Sequence, residues 1–321
     1  MSLRVLLSAP YLIPVFDRFQ PLFKEAGIEV VIAEVEERLS ADELLQYAGE
    51  IDGSICGDDQ FGERVLHAFA PRLKIISKWG TGIDSIDQVA ARELGVRVAN
   101  TPGAFTDPVA DSVLAYMLAF ARRNLWLDKA MKSGEWKKIP GRALQECTLG
   151  VIGVGRIGKA VLRRAEPFGV RLLGNDIVKI AGDFLQEVDV AMVSLDDLLA
   201  QSDYVSLNCD LNKSSRHLIN GESIGLMKTE AVLINTARGP VVKEPALIDA
   251  LENGRIAGAA LDVFEEEPLP KNSQLRKMDQ VLLAPHNANS SPGAWERVHW
   301  NTIRNLFEGL GLQFPEDKAG H

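Results

Sequence analysis

Short apolar runs alternate with amphipathic stretches along the first third of the chain. The runs predicted to be strands are Leu3–Ala9, Ile28–Ala33, Ile51–Cys56, Leu73–Ser77 and Val96–Ala99. The stretches with helical spacing between them are Pro21–Ala26, Ala41–Ala48, Glu63–Phe69 and Ser85–Leu94. Alternation of this kind is typical of a parallel sheet covered by helices, so this part of the chain is predicted to be an α/β domain.

A helical pattern of unusual length follows, from Val109 to Lys132. It begins after Thr106-Asp107-Pro108, which offers polar caps and then a proline in the first turn. Because the pattern is apolar on more than one face, we expect one long helix that bridges two domains and packs against a second subunit. A helix buried wholly inside one domain is the alternative.

The second half of the chain continues the alternation. Its predicted strands are Leu149–Ile152, Val170–Asp176, Ala191–Ser194, Tyr204–Asn208, Ala231–Thr236, Ile256–Val263 and Val281–Ala284. Its predicted helices are Lys159–Ala165, Leu195–Gln201, Glu222–Met227, Pro245–Asn253 and Pro292–Gly309. This pattern predicts a doubly wound parallel sheet. We expect the last helix to return to the first domain and Phe314–His321 to be a frayed tail.

Composition and charge narrow the class of protein. The length of 321 residues allows two domains of ordinary size. The formal net charge of −9 argues against nucleic-acid and anionic-membrane partners, which need clustered Lys and Arg. Cys56, Cys147 and Cys209 have no metal-ligand spacing and indicate no disulfide framework. There is no apolar stretch of about 18 residues and no signal-peptide layout, so we expect a cytoplasmic protein.

The glycine-rich segment after the strand at Leu149–Ile152 carries the most specific motif. It follows the pattern G-x-G-x-x-G, with Gly153, Gly155 and Gly158, and leads directly into a helical pattern. These glycines permit a tight turn, a close backbone approach to a pyrophosphate and close packing of helix on strand. The next strand ends in Asp176, roughly 20 residues on, where a carboxylate can accept the ribose hydroxyls. The segment therefore predicts a dinucleotide site; the alternative is an ordinary strand–turn–helix with a surface aspartate.

Three later strands end in residues able to do chemistry. Arg238 follows the strand at Ala231–Thr236, and a guanidinium there can hold a carboxylate through paired hydrogen bonds. Acidic residues up to Glu267 follow the next strand, and His286 follows the last one. Each has an ordinary alternative, since such side chains often only solvate a loop. Their joint occurrence after a dinucleotide loop favours a functional interpretation.

Together, these segments show that the sequence resembles the D-isomer-specific 2-hydroxyacid dehydrogenases over nearly its whole length. The matching segments are Gly80-Thr81-Gly82-Ile83-Asp84, Gly153–Gly158, Asn235-Thr236-Ala237-Arg238-Gly239, Leu261-Asp262-Val263-Phe264 with Glu267-Pro268, and Pro285-His286. It is most similar in style to phosphoglycerate dehydrogenases without a regulatory domain and to glyoxylate/hydroxypyruvate reductases. The resemblance implies a flavodoxin-like α/β substrate-binding domain (1–103 and 289–321), a Rossmann doubly wound NAD-binding domain (104–288) and a homodimer.

The same resemblance implies hydride transfer between NAD and a D-2-hydroxy acid or its 2-oxo acid. The implied catalytic residues are Arg238, Glu267 and His286. Arg238 is expected to bind the substrate carboxylate, and His286 to exchange a proton with the substrate oxygen. Glu267 is expected to pair with the imidazole and fix its tautomer. Glu265 and Glu266 are expected to be solvated.

The family pattern also implies which residues bind the small molecules. The backbone around Trp79 and Gly80 is expected to receive the substrate carboxylate. Lys78 aligns with a basic residue that lies near the substrate phosphate in phosphoglycerate dehydrogenases, which makes 3-phosphoglycerate one candidate substrate; the alternative, with equal support from the sequence, is that Lys78 is a surface residue. The residues implied to line the NAD site are Gly153, Gly155, Arg156, Ile157, Gly158, Asp176, Ser215, Thr236, Ala237 and Asp262.

The chain departs from the family pattern at two functional segments. It has Asn208-Cys209-Asp210-Leu211-Asn212 where His-x-Pro-Leu-Thr is common beside the adenosine pocket, and Asn287-Ala288-Asn289-Ser290-Ser291 after His286. Substrate choice and cofactor contacts therefore stay open. The main hypothesis is an NAD-dependent dehydrogenase of a D-2-hydroxy acid, with 3-phosphoglycerate as one candidate. The alternatives are a glyoxylate/hydroxypyruvate reductase and, in a different class, an NAD-sensing binding protein like the family's corepressor branch.

Overall fold

The computed structural model describes residues 2–315. The strands, in chain order, are β1 (Leu3–Leu7), β2 (Ile28–Ile32), β3 (Gly53–Cys56), β4 (Ile75–Lys78), β5 (Arg97–Ala99), β6 (Thr148–Ile152), β7 (Arg171–Asn175), β8 (Val190–Met192), β9 (Tyr204–Leu207), β10 (Val232–Asn235), β11 (Gly258–Leu261) and β12 (Val281–Leu283). The α-helices are α1 (Gln20–Glu25), α2 (Ala41–Leu45), α3 (Glu63–Phe69), α4 (Gln88–Glu93), α5 (Thr106–Arg122), α6 (Asn124–Lys132), α7 (Arg156–Ala165), α8 (Gly182–Glu187), α9 (Leu195–Gln201), α10 (Gly221–Leu226), α11 (Glu244–Glu252) and α12 (Pro292–Gly309).

The chain divides into two compact units. The first unit comprises Met1–Phe105 and Ser291–His321, and the second comprises Thr106–Ser290.

The first unit is built on a parallel sheet of five strands in the order β2-β1-β3-β4-β5. This is the flavodoxin-like order of a doubly wound fold. In the register of β3 and β4, Cys56 lies opposite Lys78, so both strands end at the same edge. Residues that follow these strands are therefore brought together at this edge, where open α/β sheets bind ligands.

Helix α12 packs against the sheet of the first unit. A Cβ atom on Gly53 of β3 would lie only 2.9 Å from Leu306, and one on Gly309 would collide with Ile75 of β4. The hydroxyl of Ser77 also donates a hydrogen bond to the carbonyl of Thr302, at 2.7 Å. Small residues on both elements thus allow the last helix to lie directly on the strands.

The second unit contains a parallel sheet of seven strands in the order β12-β11-β10-β9-β6-β7-β8. From β6 the chain builds outward through β7 and β8, then crosses to β9 and builds outward on the other side. This is the Rossmann arrangement, with the reversal of strand order between β6 and β9. The predicted fold class, a Rossmann sheet with a flavodoxin-like α/β unit, is confirmed.

The prediction of a single helix from Val109 to Lys132 is wrong. Helix α5 ends at Arg122, Arg123 has a left-handed backbone with φ of 55°, and α6 starts at Asn124. The apolar face of α5, including Met117 and Phe120, belongs to the core of the second unit, whereas α6 has no buried residue. Core packing therefore holds α5, as the alternative interpretation had it, and the chain changes direction where that packing ends.

The predicted frayed tail is wrong at its first residue. Phe314 is buried, and its ring packs edge-on against Phe307 of α12 at 5.8 Å between centroids. The remainder of that prediction, from residue 316 onward, lies outside the described residues. Among residues 2–315, no helix is long and apolar enough to cross a membrane.

Candidate active site and cofactor site

The glycine turn lies at the switch point of the second unit. Gly153 has φ of +87°, and a Cβ atom on it would lie 2.6 Å from the backbone nitrogen of Cys209, just after β9. A Cβ atom on Gly158 would collide with the carbonyl oxygen of Gly153. Gly155 faces open space, and α7 begins directly after it. The first N–H groups of α7 lack partners within the helix and are placed for an anion.

Asp176 is attached to this turn by hydrogen bonds. Its Oδ2 accepts the backbone N–H of Val154 at 2.7 Å, and its Oδ1 accepts that of Val178 at 3.0 Å. The carboxylate is partly exposed, and it still has lone pairs to accept a ribose hydroxyl. Arg156 is exposed and Ile157 half-buried in the first turn of α7, which begins directly after Gly155.

Two buried polar atoms at the ends of β9 and β10 have no hydrogen-bond partner within residues 2–315. They are Oδ1 of Asn208 and Oγ1 of Thr236. A buried polar atom without a partner costs about 1–3 kcal/mol, which a polar ligand at this edge of the sheet can offset. Together with the open cradle at Gly155, these atoms show that the residues present fit a dinucleotide.

The other residues predicted for the cofactor site are engaged in turns. The Ser215 hydroxyl donates to the carbonyl of Asp210 at 2.6 Å and accepts the N–H of Asn212 at 2.9 Å, so it orders its own turn. The N–H of Ala237 donates to the side chain of Asn235 at 3.1 Å. The structure therefore gives both residues a local role, and their role at the cofactor stays a prediction.

Asp262 holds the backbone that follows His286. Its carboxylate accepts the N–H groups of Asn287 at 2.7 Å and Ala288 at 3.0 Å, and its carbonyl accepts the N–H of His286 at 2.7 Å. Asp262 is almost fully buried, and this burial raises the pKa of its carboxyl group. His286 has φ of 51°, a conformation that this set of hydrogen bonds stabilises.

Arg238 emerges from the end of β10 beside the loop that carries Glu267. A Cβ atom on Gly239 would collide with the backbone of Phe264, so the two loops are in direct contact. The carbonyl of Arg238 accepts a hydrogen bond from the Asn235 side chain at 3.0 Å. This packing fixes the backbone from which the guanidinium extends.

His286 and Glu267 form a pair. Nδ1 of His286 lies 3.1 Å from Oε2 of Glu267, and each side chain is 21% exposed. The other carboxylate oxygen, Oε1, accepts the backbone N–H of Phe264 at 2.9 Å. A carboxylate only accepts hydrogen bonds, so this pairing requires the imidazole to carry hydrogen on Nδ1.

In the first unit, Lys78 lies at the end of β4 and forms an ion pair. Its Nζ lies 2.9 Å from Oδ1 of Asp58, and the lysine is only 4% exposed. The alternative interpretation of Lys78 as a surface residue is therefore wrong, because the strand carries it into the interior. A Cβ atom on Gly80 would lie 3.7 Å from Nζ, so the ammonium is next to the Gly80 turn.

Trp79 is fixed by an aromatic cluster. Its Nε1 donates to Nδ1 of His299 at 3.0 Å, and its ring packs near those of Tyr11 and Trp295. Burial lowers the pKa of His299 to about 4, which keeps Nδ1 a neutral acceptor. Sequence reasoning did not predict His299 or Asp58. Asp58 follows a predicted strand by two residues, which is a usable signal; His299 has none.

The expectation that Glu265 is simply solvated needs correction. The residue is exposed, but its carboxylate Oε1 lies 2.5 Å from Nε2 of His217. Glu266 is exposed, as expected.

The fold and the glycine turn define a dinucleotide-binding α/β protein, and comparison with known proteins narrows this class. A family model described as D-isomer specific 2-hydroxyacid dehydrogenase, NAD binding domain, matches residues 114–288. Glyoxylate reductase of Thermofilum pendens is 42% identical over 283 residues, 86% of this chain and 83% of that protein. Hydroxypyruvate reductase of Thermotoga maritima is 37% identical over 301 residues, 91% of this chain and 97% of that protein.

Among solved structures, D-lactate dehydrogenase from Aquifex aeolicus, complexed with NAD and lactic acid, is similar. Its TM-score is 0.83 at 29% identity, over 94% of this chain and 93% of that one. The chain belongs to the D-isomer-specific 2-hydroxyacid dehydrogenase family. It is an NAD-dependent oxidoreductase that acts on the CH–OH group of 2-hydroxy acids.

Proposed function

We propose that the chain reduces short, unphosphorylated 2-oxo acids: hydroxypyruvate to D-glycerate, and glyoxylate to glycolate, which is achiral. The observation that carries this choice is the Lys78–Asp58 ion pair at the end of β4. A phosphorylated substrate needs an available cation there, but Asp58 neutralises the ammonium and repels a phosphate. Relatives named glyoxylate reductase and hydroxypyruvate reductase support the same choice. The 3-phosphoglycerate interpretation is therefore disfavoured.

The roles of the two units follow from this proposal. Residues 1–103 and 289–321 are the substrate-binding domain, in which the backbone at Trp79 and Gly80 receives the substrate carboxylate. Residues 104–288 are the NAD-binding domain, and the family model that matches 114–288 supports this. The residues proposed to line the NAD site are Gly153, Gly155, Arg156, Ile157, Gly158, Asp176, Ser215, Thr236, Ala237 and Asp262.

Three side chains of the second unit perform the chemistry. When bound, NADH supplies the hydride that the 2-oxo carbon takes up. Arg238 holds the substrate carboxylate and polarises the neighbouring carbonyl. Protonated His286 gives a proton from Nε2 to the carbonyl oxygen, and takes it back in the oxidation direction. Glu267 accepts the Nδ1 hydrogen and so orients the imidazole and stabilises its charged form.

The test is a substrate panel with both nicotinamide cofactors. NADH consumption is measured with hydroxypyruvate, glyoxylate, pyruvate and phosphohydroxypyruvate, and the D-configuration of the chiral products, those of all acids but glyoxylate, is checked with stereospecific enzymes. We expect hydroxypyruvate or glyoxylate to give the highest kcat/KM and phosphohydroxypyruvate the lowest. A preference for the phosphorylated acid would overturn the substrate choice. Tight NADH binding without turnover of any acid would favour the NAD-sensing binding protein instead.

We propose also that the chain is a homodimer formed through the second unit. The support is a set of exposed apolar side chains on α6 and just after it: Leu125 and Met131, which are about half exposed, and Trp136, which is 87% exposed. A second copy would cover them. Light scattering on purified protein should give twice the chain mass, and Trp136→Ser should lower it toward one; a wild-type monomer would reject the dimer.

A further inference from the structure

A cluster of one imidazole and two carboxylates lies beside the catalytic loops of the second unit. It consists of His217, Glu244 and Glu265, and we call it the His217 cluster. Nε2 of His217 lies 2.5 Å from Oε1 of Glu265. Glu244 and Glu265 also exchange hydrogen bonds, since each backbone N–H donates to the carboxylate of the other at 3.3 Å.

Each member of the cluster belongs to a different segment. The segment of His217 pairs with the residues after Arg238. The backbone N–H of His217 donates to the carbonyl of Pro240 at 2.8 Å, and the N–H of Ile219 donates to the carbonyl of Val241 at 3.1 Å. Glu244 is the first residue of α11, and Glu265 belongs to the loop after β11. The cluster therefore ties three segments that are distant in sequence.

The His217 cluster is close to two residues of the proposed mechanism. Glu265 precedes Glu267 by two residues, and the segment that pairs with His217 begins directly after Arg238. The two loops are in contact where Gly239 meets the backbone of Phe264. A shift of the Glu265 carboxylate would therefore move the short loop that places Glu267 against His286.

The carboxylates alone would not hold this arrangement. Glu244 is partly buried, and burial together with the charges of Glu265 and Glu266 raises the pKa of its carboxyl group. The repulsion between the two carboxylates opposes the long backbone hydrogen bonds that join these segments, so a further donor stabilises the position of Glu265. Nε2 of His217 supplies that donor in either protonation state, because both the neutral and the charged imidazole can carry hydrogen there.

The backbone of His217 supports a specific role for its side chain. Its φ of 54° is left-handed, a conformation that glycine or asparagine adopts at lower cost. For a turn alone, those residues would suffice. A histidine at this position is explained by the reach of its ring to Glu265.

We propose that His217 is a positioning residue for the reaction: its hydrogen bond to Glu265 fixes the loop that holds Glu267 against His286. This proposal rests on the proposed function, in which Glu267 and His286 move the proton. The pair is partly exposed, with 39% of the His217 side chain accessible, so its contribution to global stability is small. The expected effect is on the position of Glu267.

The test uses His217→Asn, which tolerates the left-handed backbone but cannot reach Glu265. We expect kcat with hydroxypyruvate to fall about tenfold or more, as for a displaced catalytic group, with the dissociation constant of NADH unchanged. The midpoint of the pH–kcat profile should move to lower pH, because an imidazole that loses its carboxylate partner gives up its proton more readily. His67→Asn, at an exposed histidine of the first unit, is the matched control and should change neither.

A second variant and a spectroscopic measurement keep the test decisive. His217→Gln has a longer side chain that retains an amide donor, so it should recover part of the activity. If His217 acted only by filling space, the amide donor of glutamine would bring no such recovery. With five histidines in the chain, the imidazole ¹H–¹⁵N signals can be assigned, and the Nδ1–H signal of His286 should shift in His217→Asn.

The signal of His286 does not depend on turnover, so the two proposals can fail separately. If wild-type protein turns over no 2-oxo acid but the His286 signal shifts in His217→Asn, the proposed function fails and the positioning role stands. If kcat, its pH profile and the His286 signal all stay as in wild type, the positioning role of His217 is overturned.

Discussion

The ammonium of Lys78 lies 2.9 Å from a carboxylate oxygen of Asp58, in a lysine that is almost fully buried at the end of β4. This ion pair determines how strongly the Lys78 ammonium, which lies next to the Gly80 turn, can attract an anionic group of the substrate. Taken from the sequence alone, Lys78 is a candidate phosphate ligand. Paired with Asp58, the ammonium has a carboxylate 2.9 Å away, which opposes its attraction for a phosphate while it can still donate hydrogen bonds.

Removal of the Asp58 charge should therefore widen the substrate range. In Asp58→Asn the amide oxygen can still accept from Nζ, but the negative charge 2.9 Å from the ammonium is removed. We expect kcat/KM for phosphohydroxypyruvate to rise about tenfold relative to that for hydroxypyruvate, equivalent to about 1.4 kcal/mol of charge interaction. Asp42→Asn, at an exposed carboxylate of the same unit, is the control. An unchanged ratio would mean that Lys78 does not face the distal group of the substrate.

The pair formed by His286 and Glu267 gives a second prediction. His286→Asn removes the group that moves the proton, so kcat should fall by about 10²–10⁴-fold, a typical contribution of acid–base catalysis. NADH binding, followed by fluorescence titration, should stay within about twofold, because the glycine turn and Asp176 are untouched. Glu267→Gln should lower kcat with hydroxypyruvate, whereas Glu266→Gln, one residue earlier and exposed, should not. Turnover that survives in His286→Asn would remove this residue from the mechanism.

How far the sequence could predict this site depends on how far apart along the chain the contacting residues lie. Arg238 and His286 could be proposed because each follows a strand that is visible in the local pattern, and the carboxyl ends of parallel strands meet at one edge. The choice of Glu267 among three neighbouring glutamates depends instead on the resemblance to the family. The bond between Trp79 and His299 joins residues 220 apart, and a single sequence carries no signal for such a pairing.

Local structure also escaped prediction where tertiary packing decided it. The break between α5 and α6 lies at Arg123, where the sequence has neither glycine nor proline. Helix α5 ends where its apolar residues no longer pack in the core. The contact of Glu265 with His217 was missed for a related reason. A run of three glutamates looks solvated, and the histidine that bonds to the first of them is 48 residues away.

Asp176 gives a prediction on cofactor choice. Its carboxylate lies beside the turn and is expected to accept the ribose hydroxyls and to repel a 2′-phosphate. Asp176→Asn removes the charge but keeps an acceptor for the N–H of Val154. The variant therefore tests the repulsion of the 2′-phosphate without loss of the hydrogen bond that holds the turn. We expect kcat/KM with NADPH to rise about tenfold relative to NADH. Asp183→Asn, on the exposed face of α8, should leave the ratio unchanged; a constant ratio in Asp176→Asn would place the ribose acceptor elsewhere.

Asp59 gives a prediction on stability and pH. This carboxyl group is fully buried in the first unit, where it accepts hydrogen bonds from the Ser8 hydroxyl and from the N–H of Leu39. Burial raises its pKa to about 6, from an ordinary value of 3.8, although the nearby Lys78 ammonium acts in the opposite direction. Since the folded protein holds the proton more tightly than the unfolded chain, stability is greatest when both are protonated, below pH 4. It decreases as pH rises from about 4 to about 6 and is constant above that range.

The size of this decrease is on the order of 3 kcal/mol, from 1.36 kcal/mol for each pKa unit. Asp59→Asn cannot titrate, so the free energy of unfolding of wild type minus that of the variant should fall by this amount between pH 4 and pH 7. Urea unfolding followed by tryptophan fluorescence measures it, since Trp79, Trp295 and Trp300 all belong to the first unit. Asp42→Asn, at an exposed carboxylate, serves as the control. A difference independent of pH would show that Asp59 stays ionised throughout, held by Lys78 more strongly than burial opposes it.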